Sequence, residues 1–412
     1  GAGSGGAAPG GRAANGGRIH STMDRGDAED VRLPDGTIDL VKDLVPVVRG
    51  LLRRGLSDAF QRACVRVGCF QSFGGGLKAS LVGGLRIDVH AVLKLGGADL
   101  GLHRELMTAV NRVRPRTFPE ILGLVELGQG RKLLLMGNLR KHSTLLDLVY
   151  RDGLADKDGE SILQKVVEAL RAIRKAGEAG KSCWPGIPTQ RDPFTGRLRS
   201  KLRELLKADP DLKPIMTLPG RVLGVPCPPV EELLDRAQRF MAERAPLVTP
   251  VLQHGDPHLG NIMARRYGKG YAVKLIDPNP EVGFADPLYD VGKLFHWAEP
   301  VGWAHVAPEV CRSEWRAGRT GWVLDAGHEP PDAAAEQRRT RLVTLLKACL
   351  PRLVPGDSPA GLCRPLPLAI AAAHVGLAAL LKGEAQRTAR RFVLAHTLRS
   401  LAEWAATDRI AP

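Results

Sequence analysis

The stretch that most restricts what this chain can be runs from Val251 to Leu294: VLQHGDPHLGNIMARRYGKGYAVKLIDPNPEVGFADPLYDVGKL. Val251 and Leu252 read as the end of a strand. His254-Gly255-Asp256-Pro257-His258 cannot continue it, because Gly and Pro break regular structure. The chain turns there and presents Asp256 on a loop. Ile262-Met263 restart an apolar strand, and Tyr271 to Ile276 form a second one. Gly268-Lys269-Gly270 is the hairpin turn between them. Asp277 falls just past the second strand and Asn261 just before the first. One hairpin, 251–277, therefore carries Asp256, Asn261 and Asp277 at the same end.

Two carboxylates and an amide gathered in this way suit phosphoryl transfer. One carboxylate orients an attacking hydroxyl and accepts its proton. The other, with an amide oxygen, holds Mg²⁺, which takes oxygen ligands and few of them from protein. His254-Gly255-Asp256-Pro257-His258-Leu259-Gly260-Asn261, then Ile276-Asp277-Pro278, then Ala285-Asp286-Pro287-Leu288-Tyr289-Asp290, resembles the aminoglycoside phosphotransferase and choline kinase family. The HGDxHxxN pattern of that family is met at His254, Gly255, Asp256, His258 and Asn261. The resemblance implies an α+β, two-lobed protein-kinase-like fold with ATP and Mg²⁺ as cofactors. It implies Asp256 as the catalytic residue and Asn261 and Asp277 as metal ligands. His254 and His258 would brace the loop, and Asp286 and Asp290 the helix that follows. Pro278 stands where many members have Trp, as in the branch of streptomycin-type kinases, and Ala285 stands where Gly is usual. Neither change touches the acids. The protein-kinase signatures H-R-D, D-F-G and A-P-E do not occur in order, which favours a small-molecule acceptor.

Upstream, Val65 to Phe70, Ala79 to Val82 and Ile87 to Leu93 read as strands, with turns at Gly74-Gly75-Gly76 and Gly83-Gly84. Glycines in such a turn let backbone N–H groups come close to phosphates, although an isolated Gly-rich turn is as easily an ordinary hairpin. Lys94 ends the third strand, and Leu102 to Val113 reads as a helix containing Glu105. In the family's fold a lysine and a helix glutamate at these places pair over the nucleotide phosphates, so Lys94 and Glu105 are candidates together with Gly74, Gly75 and Gly76. Glu120–Glu126 and Lys132–Met136 form a further strand pair. The resemblance puts the interlobe linker next, with Met136 and Asn138 as positions whose backbone would meet the adenine edge.

The rest reads as mostly helical. Helices are expected over 38–55, near 144–150, over 162–179, over the basic segment 195–207 and over Pro229–Arg244. Another runs from Asp290 through Trp297, with further ones near 332–353, 362–381 and 384–405. Residues 180–227 read as Pro-rich and irregular outside the basic helix, and loops are expected after Trp297. The domain plan is a low-complexity leader or tag over 1–22, a nucleotide-binding lobe over 23–138, and a lobe over 139–412 whose last helices recognise substrate. Met23 is a candidate native start.

The net charge of +15 concerns partners, not fold. It fits a protein that handles ATP or an anionic compound, and it sits awkwardly with a polycationic acceptor. The seven cysteines are scattered without a C-x-x-C pair, which speaks against a disulfide framework or zinc site and for a reducing cytoplasm. The expected activity is γ-phosphoryl transfer from ATP to a hydroxyl of a small molecule, first an antibiotic or related natural product in resistance or self-protection. A sugar, nucleoside-type metabolite or amino alcohol is the alternative acceptor. A kinase-like binding protein without catalysis, using its basic surface, is the rival class. The expected partner is a small molecule, with no membrane and no nucleic acid, for a monomer or homodimer.

Overall fold

The computed structural model describes residues 82–86, 90–97, 99–128, 131–137, 139, 141–178, 183–268, 270–354 and 365–408. The leader over 1–22, the helix over 38–55, the strand over 65–70, Gly74, Gly75, Gly76 and Asn138 lie outside the described residues.

The first part is an antiparallel sheet. Strands β1 (Val82–Arg86), β2 (His90–Gly96), β3 (Ile121–Gly128) and β4 (Arg131–Met136) lie in the order β1-β2-β4-β3. Gly83 and Gly84, expected to turn the chain, sit inside β1 opposite Leu93 and Val92. Among the described residues β1 is the edge of the sheet, a place where glycine costs little side-chain packing. Helix α1 (Leu100–Val113) buries Leu100, His103, Leu106, Met107 and Val110. That spacing forms one face of a helix, and the face packs on β3 and β4. Leu133 to Met136 of β4 are almost wholly buried, with Leu134 and Met136 on the face that joins the main core.

After Met136 the chain enters the larger part. A two-residue strand β5 (Ser143–Thr144) precedes helix α2 (Asp156–Gly177). The helix begins ahead of the expected Ile162, since Asp156 and Asp158 in its first turn complement the helix dipole. Next come α3 (Thr195–Ala208), β6 (Gly220–Val222), β7 (Val225–Cys227) and α4 (Val230–Arg244). The central segment is β8 (Val251–Leu252), β9 (Ile262–Tyr267), β10 (Gly270–Leu275), β11 (Phe284–Ala285) and α5 (Leu288–His296). Strands β9 and β10 pair antiparallel from Tyr267–Gly270 at the turn to Ile262–Leu275 at the open end.

Beyond α5, where loops were expected, β12 (Cys311–Ala317) and β13 (Trp322–His328) form a hairpin. With β6 and β7 they make a second sheet in the order β12-β13-β6-β7. The sequence CRSEWRA gives a weak strand signal because only Cys311 is buried, while Arg312, Glu314, Arg316 and Ala317 are exposed. Segment 180–227, expected to be irregular, supplies the other half of that sheet.

Helices α6 (Ala333–Leu353), α7 (Leu366–Leu380) and α8 (Arg387–Asp408) complete the chain. Helix α7 is apolar on every side and is enclosed by α3, α5 and α8. Small residues allow this: a Cβ added to Gly292 of α5 would come within 2.5 Å of the Ala369 carbonyl oxygen. Among the described residues no helix is long and apolar enough to cross a membrane. The fold is α+β, two-lobed and protein-kinase-like, with a small antiparallel sheet and helix followed by a mostly helical lobe.

Candidate active site

The loop after β8 is held from behind by α5. Both oxygens of Asp290 accept backbone N–H bonds, from His254 and Gly255, each at 2.8 Å. Gly255 has φ of 83°, and a Cβ there would lie 2.4 Å from the Asn279 carbonyl oxygen. Only glycine fits that turn. The Asn279 N–H donates to the His254 carbonyl at 2.7 Å, which ties the loop to the segment after β10. Asp256 is thereby presented half-buried at the open end of the hairpin.

Asn261 donates from Nδ2 to the Asp256 carbonyl oxygen at 2.9 Å, which leaves its amide oxygen as an acceptor. The Ile276 N–H bonds the Asn261 carbonyl at 3.0 Å, so Asn261 and Asp277 sit on adjacent chains. Asp277 has φ of 53°, a left-handed conformation unusual outside glycine. Such strain is kept where surrounding contacts impose it, and functional loops are the common setting.

His258 accepts the Gly260 N–H at Nδ1 over 3.2 Å, and its Nε2 is 3.6 Å from Asp256 Oδ2. Its ring lies 3.9 Å from that of Trp297. His254 is fully buried, stacked on Phe118, and its Nδ1 accepts the Asp256 N–H at 3.2 Å. Asp286 accepts the Leu288 N–H at 2.9 Å and pairs with Arg244 at 2.7 Å, fastening the start of α5 to α4. These contacts define what the two histidines and two acids do locally: they hold the loop and the helix behind it.

Lys94 and Glu105 part company. Lys94 of β2 is buried and pairs with Asp277, and its Nζ lies 3.1 Å from His103 Nδ1. Glu105 is exposed and meets neither. The reason is helical phase: two residues on from the buried His103, a side chain projects to the opposite side of α1. Burial, helped by the Lys94 charge, pushes the His103 imidazole down to about 3, so it is neutral beside the ammonium. Its Nε2 lies 3.5 Å from Asp99 Oδ2. Met136 ends β4 in the core, opposite Val92 and Ile121.

Lys293 is a further group that sequence reasoning passed over. Its Nζ lies 2.8 Å from Asp256 Oδ1, and it is buried on α5. Burial alone would raise the Asp256 carboxyl. Lys293, with His258 and Arg197, overcomes that and holds it well below the usual carboxylate range. Burial lowers His258 despite the nearby Asp256. The signal was available: Lys293 is the one Lys or Arg in LYDVGKLFH, a helix whose residues are all buried.

The donors suit a magnesium ion bound to a nucleotide. Asp277 and the free amide oxygen of Asn261 are hard oxygen ligands, and Mg²⁺ keeps few protein ligands when phosphates supply the rest. Among the described residues no group of three or more His, Cys, Asp and Glu side chains is placed to hold a metal alone.

Comparison with known proteins follows the same line. Residues 103–319, more than half of the chain, match the APH phosphotransferase enzyme family. Solved structures similar to this chain include a Ralstonia eutropha protein assigned to the aminoglycoside phosphotransferases, at 14% identity and a TM-score of 0.49. That likeness covers 88% of this chain and 98% of the other. They also include a Plasmodium vivax ethanolamine kinase, at 11% identity and a TM-score of 0.41, covering 91% of this chain and 96% of the other. A macrolide 2'-phosphotransferase from Brachybacterium faecium matches at 17% identity and a TM-score of 0.39, over 84% of this chain and 97% of its own. No curated protein sequence matches the chain. With the HGDxHxxN loop at the open end of its hairpin and a family match that runs from within α1 through that loop, the chain belongs to the APH phosphotransferase enzyme family.

Proposed function

We propose that the protein transfers the γ-phosphoryl group of ATP, with Mg²⁺, to a hydroxyl of a small natural product of antibiotic type. The observation that carries this reading is the meeting of Asp256, Asn261, Asp277 and Lys94 at one end of the β9–β10 hairpin. Asp256 receives the acceptor hydroxyl, orients it and takes its proton as the new O–P bond forms and the bond to the leaving diphosphate breaks. Its depressed carboxyl stays ionised, so it acts chiefly by orientation and takes the proton late. Asn261 and Asp277 would hold the metal, which when bound would neutralise phosphate charge. Lys94 faces the α- and β-phosphates. Gly74, Gly75 and Gly76 would cover the phosphates, and the backbone near Met136 and Asn138 would meet the adenine. His103, not Glu105, is the helix residue that steadies Lys94. Catalysis in this scheme is positioning and charge stabilisation.

The test is mass spectrometry of a panel of hydroxylated compounds incubated with the protein and Mg·ATP, with Asp256→Ala alongside. The panel spans antibiotics, sugars, nucleosides and amino alcohols. A gain of one phosphate on one class, lost in the variant by a factor of about 10²–10⁴, supports the reading. Retention of more than a few per cent of activity in Asp256→Ala sinks it. Nucleotide binding without transfer to any compound would favour a kinase-like binding protein.

A further inference from the structure

Beside Asp256, where α3 and α5 pack on α7, stand two cations. Lys293 of α5 stands 2.8 Å from Asp256. Arg197, in the first turn of α3, is anchored by an Nε–H bond to the Ala372 carbonyl at 2.9 Å. The end of its guanidinium lies over Gly376 of α7, where an added Cβ would come within 2.4 Å of one terminal nitrogen. Among the described residues no carboxylate pairs with Arg197. Its charge adds to the effects that hold the Asp256 carboxyl and the His296 imidazole down.

Two histidines complete the cluster. His296 and His374 are 5% and 0% exposed, and neither ring has a hydrogen-bond partner on either nitrogen. Their ring centres are 5.9 Å apart. The acid beside them is Glu299, whose Oε2 lies 3.7 Å from His374 Nε2. Burial pushes its carboxyl up to about 7, so it is partly neutral near neutral pH and offsets little of the positive charge. Buried polar groups without partners are costly and rare, and an unpaired guanidinium is a planar fork matched to carboxylate and phosphate.

We propose that Arg197 and Lys293, with His296 between the helices beside them, form an oxyanion subsite that holds a carboxylate or phosphate ester of the acceptor close to the hydroxyl received by Asp256. This inference rests on the reading of Asp256 as the group that receives the acceptor. An anionic substituent there completes the unpaired guanidinium. A protonated amine in the same place would face both cations, which disfavours polycationic aminoglycosides and simple amino alcohols.

The experiment uses the full chain saturated with Mg²⁺ and a non-hydrolysable ATP analogue, titrated by calorimetry with four small probes. Glycerol 3-phosphate and glycerate carry the oxyanion, glycerol is neutral, and 2-amino-1,3-propanediol is cationic. At least one oxyanion probe binds ten-fold or more tighter than glycerol, and the comparison of the two oxyanion probes says whether the group is phosphate or carboxylate. Arg197→Gln removes that preference and leaves nucleotide affinity unchanged. Gly376→Ala also reduces it, by displacing the guanidinium while keeping its charge and favouring the helix. Equal binding of the neutral or cationic probe, or an oxyanion preference unchanged in both variants, overturns the subsite. Failure of the wild-type protein to bind the nucleotide analogue overturns the phosphotransfer reading as well, so the two failures are distinct.

Discussion

Lys94 of β2 is ion-paired with Asp277, which lies just beyond the end of β10. Lys94 is buried and Asp277 is 35% exposed, so the contact sits at the wall of the site with the acid facing outward. On the proposed reading, the cation meant for phosphates and the acid meant for metal neutralise one another here, and a metal-bound nucleotide would divide them. Lys94→Met therefore weakens nucleotide binding by about ten-fold or more, the worth of one charge-assisted contact. It also frees Asp277, so binding of Mg²⁺ without nucleotide becomes tighter. Fluorescent-nucleotide and Mg²⁺ titrations read both effects, and an unchanged nucleotide affinity would count against a phosphate role for Lys94.

On the proposed reading, His103 acts through Lys94, against which its ring lies. His103→Leu keeps the helix face apolar and removes the acceptor 3.1 Å from the ammonium. KM for ATP rises several-fold while kcat changes by less, because the lysine is present but less fixed. Glu105→Ala leaves both constants unaltered, since that side chain is solvated. An equal loss from the two variants would show that α1 acts only through its stability.

Lys293 governs the ionisation of Asp256. With the lysine in place the carboxyl stays ionised across the working range, and the rate is insensitive to its titration on the acid side. Lys293→Met leaves the burial that raises this carboxyl and removes its main counterweight. The acid limb of the kcat/KM profile then moves upward, past the ordinary aspartate value of about 3.9. Activity at pH 5 relative to pH 8 falls several-fold in the variant and not in the wild type. Parallel profiles would show that the pair is structural.

Asp290 makes stability depend on pH with the opposite sign from a salt-bridged acid. Burial pushes its carboxyl up to about 6, against the bonds from His254 and Gly255 that act to lower it. A folded value above the unfolded one stabilises the fold fully below the unfolded value and loses that contribution as pH rises through the folded value. The window is thus about pH 4 to 6. Relative to Asp290→Asn, which does not titrate, the wild type gains on the order of 2–3 kcal/mol as pH falls through it. Urea unfolding of both proteins at several pH values measures the difference, and a constant gap would refute it.

Much of the site could be read from sequence because its chemistry is local. Asp256, Asn261 and the histidines lie within one short loop, and a glycine-marked turn brings Asp277 back beside them. The companions of those residues were not legible. Lys293 meets Asp256 and Arg197 meets α7 only because α3 and α5 both settle on α7, and that packing depends on glycines at 292 and 376 whose role is invisible without the partner helix. Glu105 against His103 was a question of phase within one helix, which spacing from an uncertain start does not resolve. The sheet of β12, β13, β6 and β7 escaped because its strands are short or solvated on one face, and its halves come from segments far apart in sequence.

The two bonds from Asp290 to the loop have a consequence for motion. Asp256 follows the backbone that Asp290 grips, and Lys293 rides the same helix one turn further on. The base and its counter-charge are thus mounted on one rigid piece, while Lys94 belongs to a different sheet. If the small sheet tilts as nucleotide enters and leaves, the distance that changes is Lys94 to Asp277, and the distance that stays is Lys293 to Asp256. On the proposed reading, the chain would thus separate a contact that such a tilt alters from one that it leaves alone, and would insulate the tuning of the acceptor's proton from nucleotide entry and exit.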